Sequence, residues 1–192
     1  MPQNQSRRAN LHRMAAILSV ATGASCLSPT SMTYDITTDI PCNEITSISV
    51  TVGTDDQTEQ AEPVVVTQNC TPNGTVGAIG TYTVQPSKNK RALVWARFVA
   101  AVGKNVDLET DCTAKKNYQG GCVVARRRLT YIPGRELTVP VQLLAQCRDV
   151  GCETKSTCNI GGRCETSLLD ASKCSASGVC TELSTEELSP SN

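Results

Sequence analysis

GCVVARRRLTYIPGRELTVPVQLLAQC, residues 121–147, is the stretch on which the fold class turns. In its first half Val123, Ala125, Leu129 and Tyr131 share one parity, bounded by Gly120-Gly121 and by Pro133-Gly134, so it predicts a strand closed by a turn. In the second half Leu137, Val139, Val141, Leu143 and Ala145 fall on one face and Glu136, Thr138 and Gln142 on the other, the pattern of a half-buried strand. The short connection between them predicts antiparallel neighbours.

Upstream of this pair, Arg91 to Val102 places Ala92, Val94, Ala96, Phe98, Ala100 and Val102 on one face and Leu93, Trp95 and Arg97 on the other. Its alanines, arginines and leucine would suit a helix, but two-residue alternation with Trp, Phe and three valines favours a strand. Ile48, Val50 and Val52 predict a further strand, as do the short runs Pro63 to Thr67 and Thr81 to Val84, with Thr71 to Gly77 as turn material. Thr33 to Pro41 ends in Asp39-Ile40-Pro41-Cys42 and predicts an edge strand, because proline cannot donate to a ladder. Seven short strands and no credible helix predict an all-β chain: an antiparallel two-layer β-sandwich of immunoglobulin or transthyretin type over residues 33–146.

Past Cys147 the apolar residues are too few for a core. Cys147, Cys152, Cys158 and Cys164, with Gly151, Gly161 and Gly162 between them, predict a small disulfide-rich module over 147–180. Residues 181–192 are polar and acidic and predict a disordered tail.

The first residues carry a different message. A basic, acid-free run to Arg13, an apolar run from Met14 to Ala24 and small residues before Cys26 have signal-peptide architecture over 1–25. The apolar run is about half of the roughly 20 residues a spanning helix needs. Gly23-Ala24-Ser25-Cys26 looks like a lipobox, whose cysteine thiol takes a diacylglycerol, although leucine is usual where Gly23 stands. Ordinary cleavage, for example after Ala24, is the rival and would release a soluble protein. Residues 26–32, rich in Ser, Thr and Pro, then read as the anchor cysteine and a tether.

Eleven cysteines in 192 residues indicate an oxidising compartment. Setting Cys26 aside leaves ten, an even number. Zinc sites favour closely spaced cysteine pairs and histidine, whereas this chain has no Cys-x-x-Cys and its one histidine is His12, so disulfides are the expectation and a metal is not. Locality suggests Cys42 with Cys70, Cys112 with Cys122, Cys147 with Cys158, Cys152 with Cys164, and Cys174 with Cys180, although sequence alone does not fix connectivity.

With no histidine after His12, the Ser-His-Asp, Cys-His and His-metal constellations are unavailable, and neither a catalytic residue nor a cofactor is assigned. Asp107, Glu109 and Asp111 could gather around calcium, but without an EF-hand pattern they read as solvated loop acids. Discounting Arg7, Arg8 and Arg13, 15 basic residues face 18 acidic ones, a net charge of −3 that argues against a nucleic-acid partner. Arg126, Arg127 and Arg128 are the one basic run after the leader. Arg126 and Arg128 share a face, and together with Trp95 they are the candidate ligand contacts, for example to an anionic glycan or a lipid headgroup. The plainer reading is an outward sheet face with arginine stems and Trp95 acting as cover. Arg127 follows the apolar parity, which predicts a place at a sheet margin or beside an acid.

Several blocks together resemble a group of cysteine-rich lipoproteins of myxobacteria. They are Thr38-Asp39-Ile40-Pro41-Cys42, Gly77-Ala78-Ile79-Gly80, Gly121-Cys122-Val123-Val124-Ala125-Arg126-Arg127, Tyr131-Ile132-Pro133, and the Cys147 to Cys164 module followed by Asp170-Ala171-Ser172-Lys173-Cys174. The resemblance implies a cell-envelope lipoprotein and carries no catalytic residue to this chain. Leu27, which is not an aspartate, implies sorting to the outer membrane. The expectation is therefore a membrane-anchored protein with a binding or structural role toward a cell-surface protein or glycan, without turnover. The alternative is a secreted enzyme or protease inhibitor, periplasmic or extracellular, that uses the disulfide module.

Overall fold

The computed structural model describes residues 28–181. The signal peptide over 1–25, lipid attachment at Cys26 and the tail beyond Thr181 concern residues outside that range.

Among the described residues the chain is all-β, with short 3-10 turns and no α-helix. Its strands are β1 Ser31–Thr38, β2 Ile45–Gly53, β3 Val65–Thr67, β4 Thr71–Asn73, β5 Val76–Val84, β6 Leu93–Val102, β7 Cys122–Thr130, β8 Glu136–Leu143, β9 Ser156–Cys158 and β10 Cys164–Thr166. They form one sheet in the order β4-β5-β1-β8, a second in the order β3-β2-β6-β7, and a small β10-β9 ribbon. The inner faces of the two large sheets share one hydrophobic cluster. Met32, Tyr34, Ile36, Leu137, Val139 and Val141 come from the first sheet, and Ile48, Val50, Val94, Phe98, Ala125 and Leu129 from the second. Tyr34 and Phe98 meet edge to face across the layers at 5.1 Å. The alternation in β6 is that of a strand, with Val94, Ala96, Phe98 and Ala100 on the shared core as their parity requires.

Four details depart from the sequence reading. First, β7 and β8 are not neighbours: β7 ends the second sheet and β8 ends the first, so residues 131–135 carry the chain between layers. Alternation identifies the buried face of each strand, and it is equally satisfied whether the partner lies beside it or opposite it. Second, β1 is internal, between β5 and β8, because Pro41 falls after the strand has ended and every ladder position from Ser31 to Thr38 keeps its N–H. Third, β1 and β8 run parallel, in register from Ser31 with Glu136 to Thr38 with Leu143, whereas the other ladders are antiparallel. Fourth, Thr71 to Gly77 is a hairpin, β4 turning at Gly74 (φ +65°) into β5.

The tether is also shorter than its composition suggests. Thr30, Ser31 and Met32 are buried, Thr30 accepts a 2.8 Å bond from the Gly134 N–H, and the Ser31 N–H donates to the Arg135 carbonyl at 3.2 Å.

Five disulfides join Cys42 to Cys70, Cys112 to Cys122, Cys147 to Cys158, Cys152 to Cys164 and Cys174 to Cys180. The segment after β8 is packed against the sheets. Cys147, Cys152, Cys158, Cys174 and Cys180 belong to the main core, Leu168 bridges to Arg128 at the free edge of β7, and Val179 bridges to Thr138 at the free edge of β8. Covering these two edges removes unpaired ladder groups that would otherwise invite another chain.

Candidate functional site

The outer face of the second sheet carries the unusual chemistry. Along β6 and β7 this face presents Trp95, Arg97, Val99 and Ala101 beside Arg128, Arg126, Val124 and Cys122, and Arg97 lies directly opposite Arg126 in the ladder. Two arginines so placed repel one another unless an acid stands between them. Three segments supply the compensation and the cover. The long connection after β6 folds back so that Val106, Leu108, Cys112 and Tyr118 close a second small core over Val99, Ala101 and Val124. The 3-10 turn Asp56–Glu59 brings in Glu59, and β9 lies along the edge of β7.

Glu59 is the centre of the cluster. Its carboxylate takes a bidentate bond from Arg126, Nε to Oε2 at 3.1 Å and the terminal nitrogen to Oε1, and it also accepts from the Tyr118 hydroxyl. Arg97 donates to the Glu59 and Ala61 carbonyls, to Thr51 Oγ1 at 3.0 Å and to the Tyr118 oxygen at 3.2 Å. The Arg126 guanidinium also stands over the Tyr118 ring, 5.2 Å from its centroid. Tyr118 reaches this position through two consecutive left-handed residues, Asn117 at φ 52° and Tyr118 at φ 53°. That conformation costs a non-glycine residue about 1 kcal/mol or more.

Charge states follow from these contacts. Burial alone would raise the Glu59 pKa, but the hydrogen bond and charge of Arg126, the Tyr118 hydroxyl and the charge of Arg97 outweigh it, and the pKa lies below the ordinary glutamate value. Burial, with the Glu59 carboxylate adding to it, pushes the Tyr118 phenol up to about 12, although Arg97 and Arg126 oppose the rise. Glu59 is therefore held ionised and Tyr118 neutral.

The three arginines of the basic run have three different fates. Arg126 is 4 % exposed and ion-paired, so it is not on a solvated outer face and cannot meet a ligand without losing Glu59. Arg127 is 5 % exposed at the margin formed by β7 and donates to the Pro140 carbonyl of the other sheet at 3.2 Å. Arg128 lies over the Trp95 ring at 4.8 Å and bonds Ser167 Oγ and the Lys155 carbonyl, which pins the C-terminal segment to the sheet. Arg128 thus links the sheet to the C-terminal segment, with its guanidinium occupying one face of the Trp95 ring.

Above this cluster lies an open cleft of about 880 Å³, lined by Gly53 to Ala61 with Ala114 and Thr154. Its side chains, among them Asp55, Asp56, Gln57, Gln60 and Thr154, offer hydrogen bonds and a negative potential, with Glu59 already engaged in the floor. The acids of the long loop are occupied by their own backbone. Asp107 accepts from the N–H groups of Glu109 and Thr110, and Asp111 accepts from the Asp107 N–H and from Lys116 at 2.8 Å. Among the described residues no three His, Cys, Asp or Glu side chains are grouped to hold a metal ion, and no helix is long and apolar enough to cross a membrane.

Sequence reasoning missed Glu59, Arg97 and Tyr118. The signal available was Arg97 itself, a charge in an otherwise apolar strand. No family model, curated protein or solved structure matches the chain.

Proposed function

We propose that the protein is a lipid-anchored component of a bacterial cell envelope with a binding or structural role and no turnover. The observation that supports this best is the use of the thiols: ten of the eleven cysteines are joined in five disulfides, which leaves Cys26, next to Gly23-Ala24-Ser25, for acylation. The binding face in this reading is the polar cleft between the Asp56–Glu59 turn and the C-terminal module, which suits a hydroxyl- or amide-rich partner such as a glycan or an extended peptide.

The two large sheets, packed on one core, are read as the layers of a sandwich. β1 and β2 stand in different sheets, whereas the first two strands of an immunoglobulin domain share one, so the transthyretin type is the closer description.

Detergent phase partitioning of the exported protein tests the anchor. Wild type should enter the detergent phase and Cys26→Ala should remain aqueous; equal partitioning of the two would refute acylation. The inhibitor alternative draws on Ile160, which is 67 % exposed in the loop between Cys158 and Cys164. Strong inhibition of a protease by the purified protein, abolished by Ile160→Asp, would favour it instead.

A further inference from the structure

The described chain begins at one end of the double sheet, and that end has its own chemistry. β1 starts there at Ser31, bonded to the Arg135 carbonyl, and β8 starts beside it at Glu136. β5 finishes there, Val84 opposite Met32, and β6 starts there with Leu93 opposite Thr130, the last residue of β7. Both connections between the layers therefore cross this end: residues 85–92, and residues 131–135, whose Tyr131 N–H bonds the Ala92 carbonyl. Between them they present Lys88, Lys90, Arg91 and Arg135. Lys88, Lys90 and Arg91 are exposed, and none of the four is paired with a carboxylate among the described residues. The acid of this end is Glu136, with Asp55 and Asp56 flanking it past the end of β2. The opposite end, where β1, β6 and β8 finish, shows Asp39, Glu44, Asp107 and Asp149 against Lys104 and Arg148.

We infer that the Lys88-Lys90-Arg91 loop and Arg135 form a docking surface for anionic phospholipid headgroups, which holds the domain on its basic end with the acidic end clear of the bilayer. This rests on the anchoring reading above and adds an orientation and a lipid class to it. In an anchored protein the short chain keeps this end close to the bilayer. Thr30 is already fixed to Gly134, and the four residues from Cys26 to Thr30 span at most about 14 Å. A flexible spacer long enough to let the domain turn over is lacking. Each basic side chain at an anionic surface strengthens attachment about fivefold, and salt screens the effect. On a neutral bilayer the same anchor would leave the domain free to tilt about its short tether.

The test uses the exported full-length protein with two sets of vesicles, phosphatidylcholine alone and phosphatidylcholine with about 30 % phosphatidylglycerol. Flotation reports anchoring, and the labelling rate of each lysine by a water-soluble amine reagent reports orientation. Lys104 and Lys115 serve as internal references. The expected result is flotation with both sets, and labelling of Lys88 and Lys90 slowed at least about threefold against the references on the anionic vesicles alone, relieved by about 0.5 M salt. Flotation with both sets and the same labelling ratio on each would overturn the docking surface and leave the anchor intact. Flotation with neither would overturn both. Flotation with the anionic set alone, with Lys88 and Lys90 shielded, would keep the headgroup contact and remove the anchor.

Discussion

Glu59 and Arg126 are joined by a bidentate ion pair on the outer face of the second sheet, with side chains 12 % and 5 % exposed. The pair lies 67 residues apart in sequence and fixes the Asp56–Glu59 turn above the sheet, with Glu59 lining the cleft. Its role is to make two facing arginines tolerable. Arg97 sits opposite Arg126 in the ladder, and its two terminal nitrogens bond Thr51, Ala61, Tyr118 and the Glu59 carbonyl while its buried Nε has no partner among the described residues, so one loop neutralises one guanidinium and hydrogen-bonds the other.

Removing one partner should therefore cost more than removing both. Glu59→Gln leaves Arg126 buried and uncompensated and is expected to destabilise by about 3 kcal/mol, the low end for a broken buried pair because Glu59 keeps some exposure. The double change Glu59→Gln with Arg126→Met should recover most of that loss. Urea titration of the disulfide-intact proteins measures both; a double change that is the sum of its singles would contradict the pairing.

The same pair sets an acid limit. Because the folded pKa of Glu59 is depressed below 4.5, its contribution is fully present above about pH 4.5 and is lost as pH falls through the lower folded value. Wild-type stability should fall across that window more steeply than that of Glu59→Gln, as followed by the urea midpoint at each pH. Parallel profiles would show that the carboxylate is not held by the arginines.

Tyr34 makes the opposite prediction. Its ring is fully buried against Phe98, its hydroxyl has no hydrogen-bond partner among the described residues, and its pKa is raised first of all by burial. Tyr34→Phe removes an unsatisfied polar atom and keeps the ring, so it should be neutral or stabilising by about 1 kcal/mol. A loss above about 1 kcal/mol in thermal or urea unfolding would mean that the hydroxyl is bonded.

Gly178 holds the C-terminal segment to β8. It has φ +88°, and a Cβ there would stand 2.1 Å from the Glu136 carbonyl oxygen, while its own carbonyl accepts from the Thr138 N–H. Gly178→Ala should release residues 175–180 from the sheet edge. Hydrogen exchange at Thr138 and Cys180, whose amides bond across that edge, should quicken while Phe98 and Val124 keep their protection. Unchanged exchange at Thr138 would show that the edge is covered some other way.

Much of this fold was legible because two-residue alternation survives in the strands with one buried face. β6 and β8 show it over nearly their full length, and cysteine spacing brings the short-range pairs together. What escaped was the third dimension of the same signals. The alternation of β7 and β8 is satisfied by opposed sheets as well as by a hairpin, and the Pro41 argument for an edge failed because the proline lies three residues beyond the end of β1. The site was less legible than the fold. Arg126 looked like a solvent-facing charge because its partner comes from a turn 67 residues away, and nothing local in Asp55, Asp56, Glu59 and Glu62 marks which acid is drawn under cover.

The most direct test of the whole account is the intact mass of the protein taken from the cell envelope, read before and after alkylation without reduction. A chain that begins at Cys26, carries the mass of a diacylglycerol and gains no alkyl groups is the predicted result. A chain that begins elsewhere without a lipid, or in which several of the ten downstream cysteines accept the reagent, would contradict it.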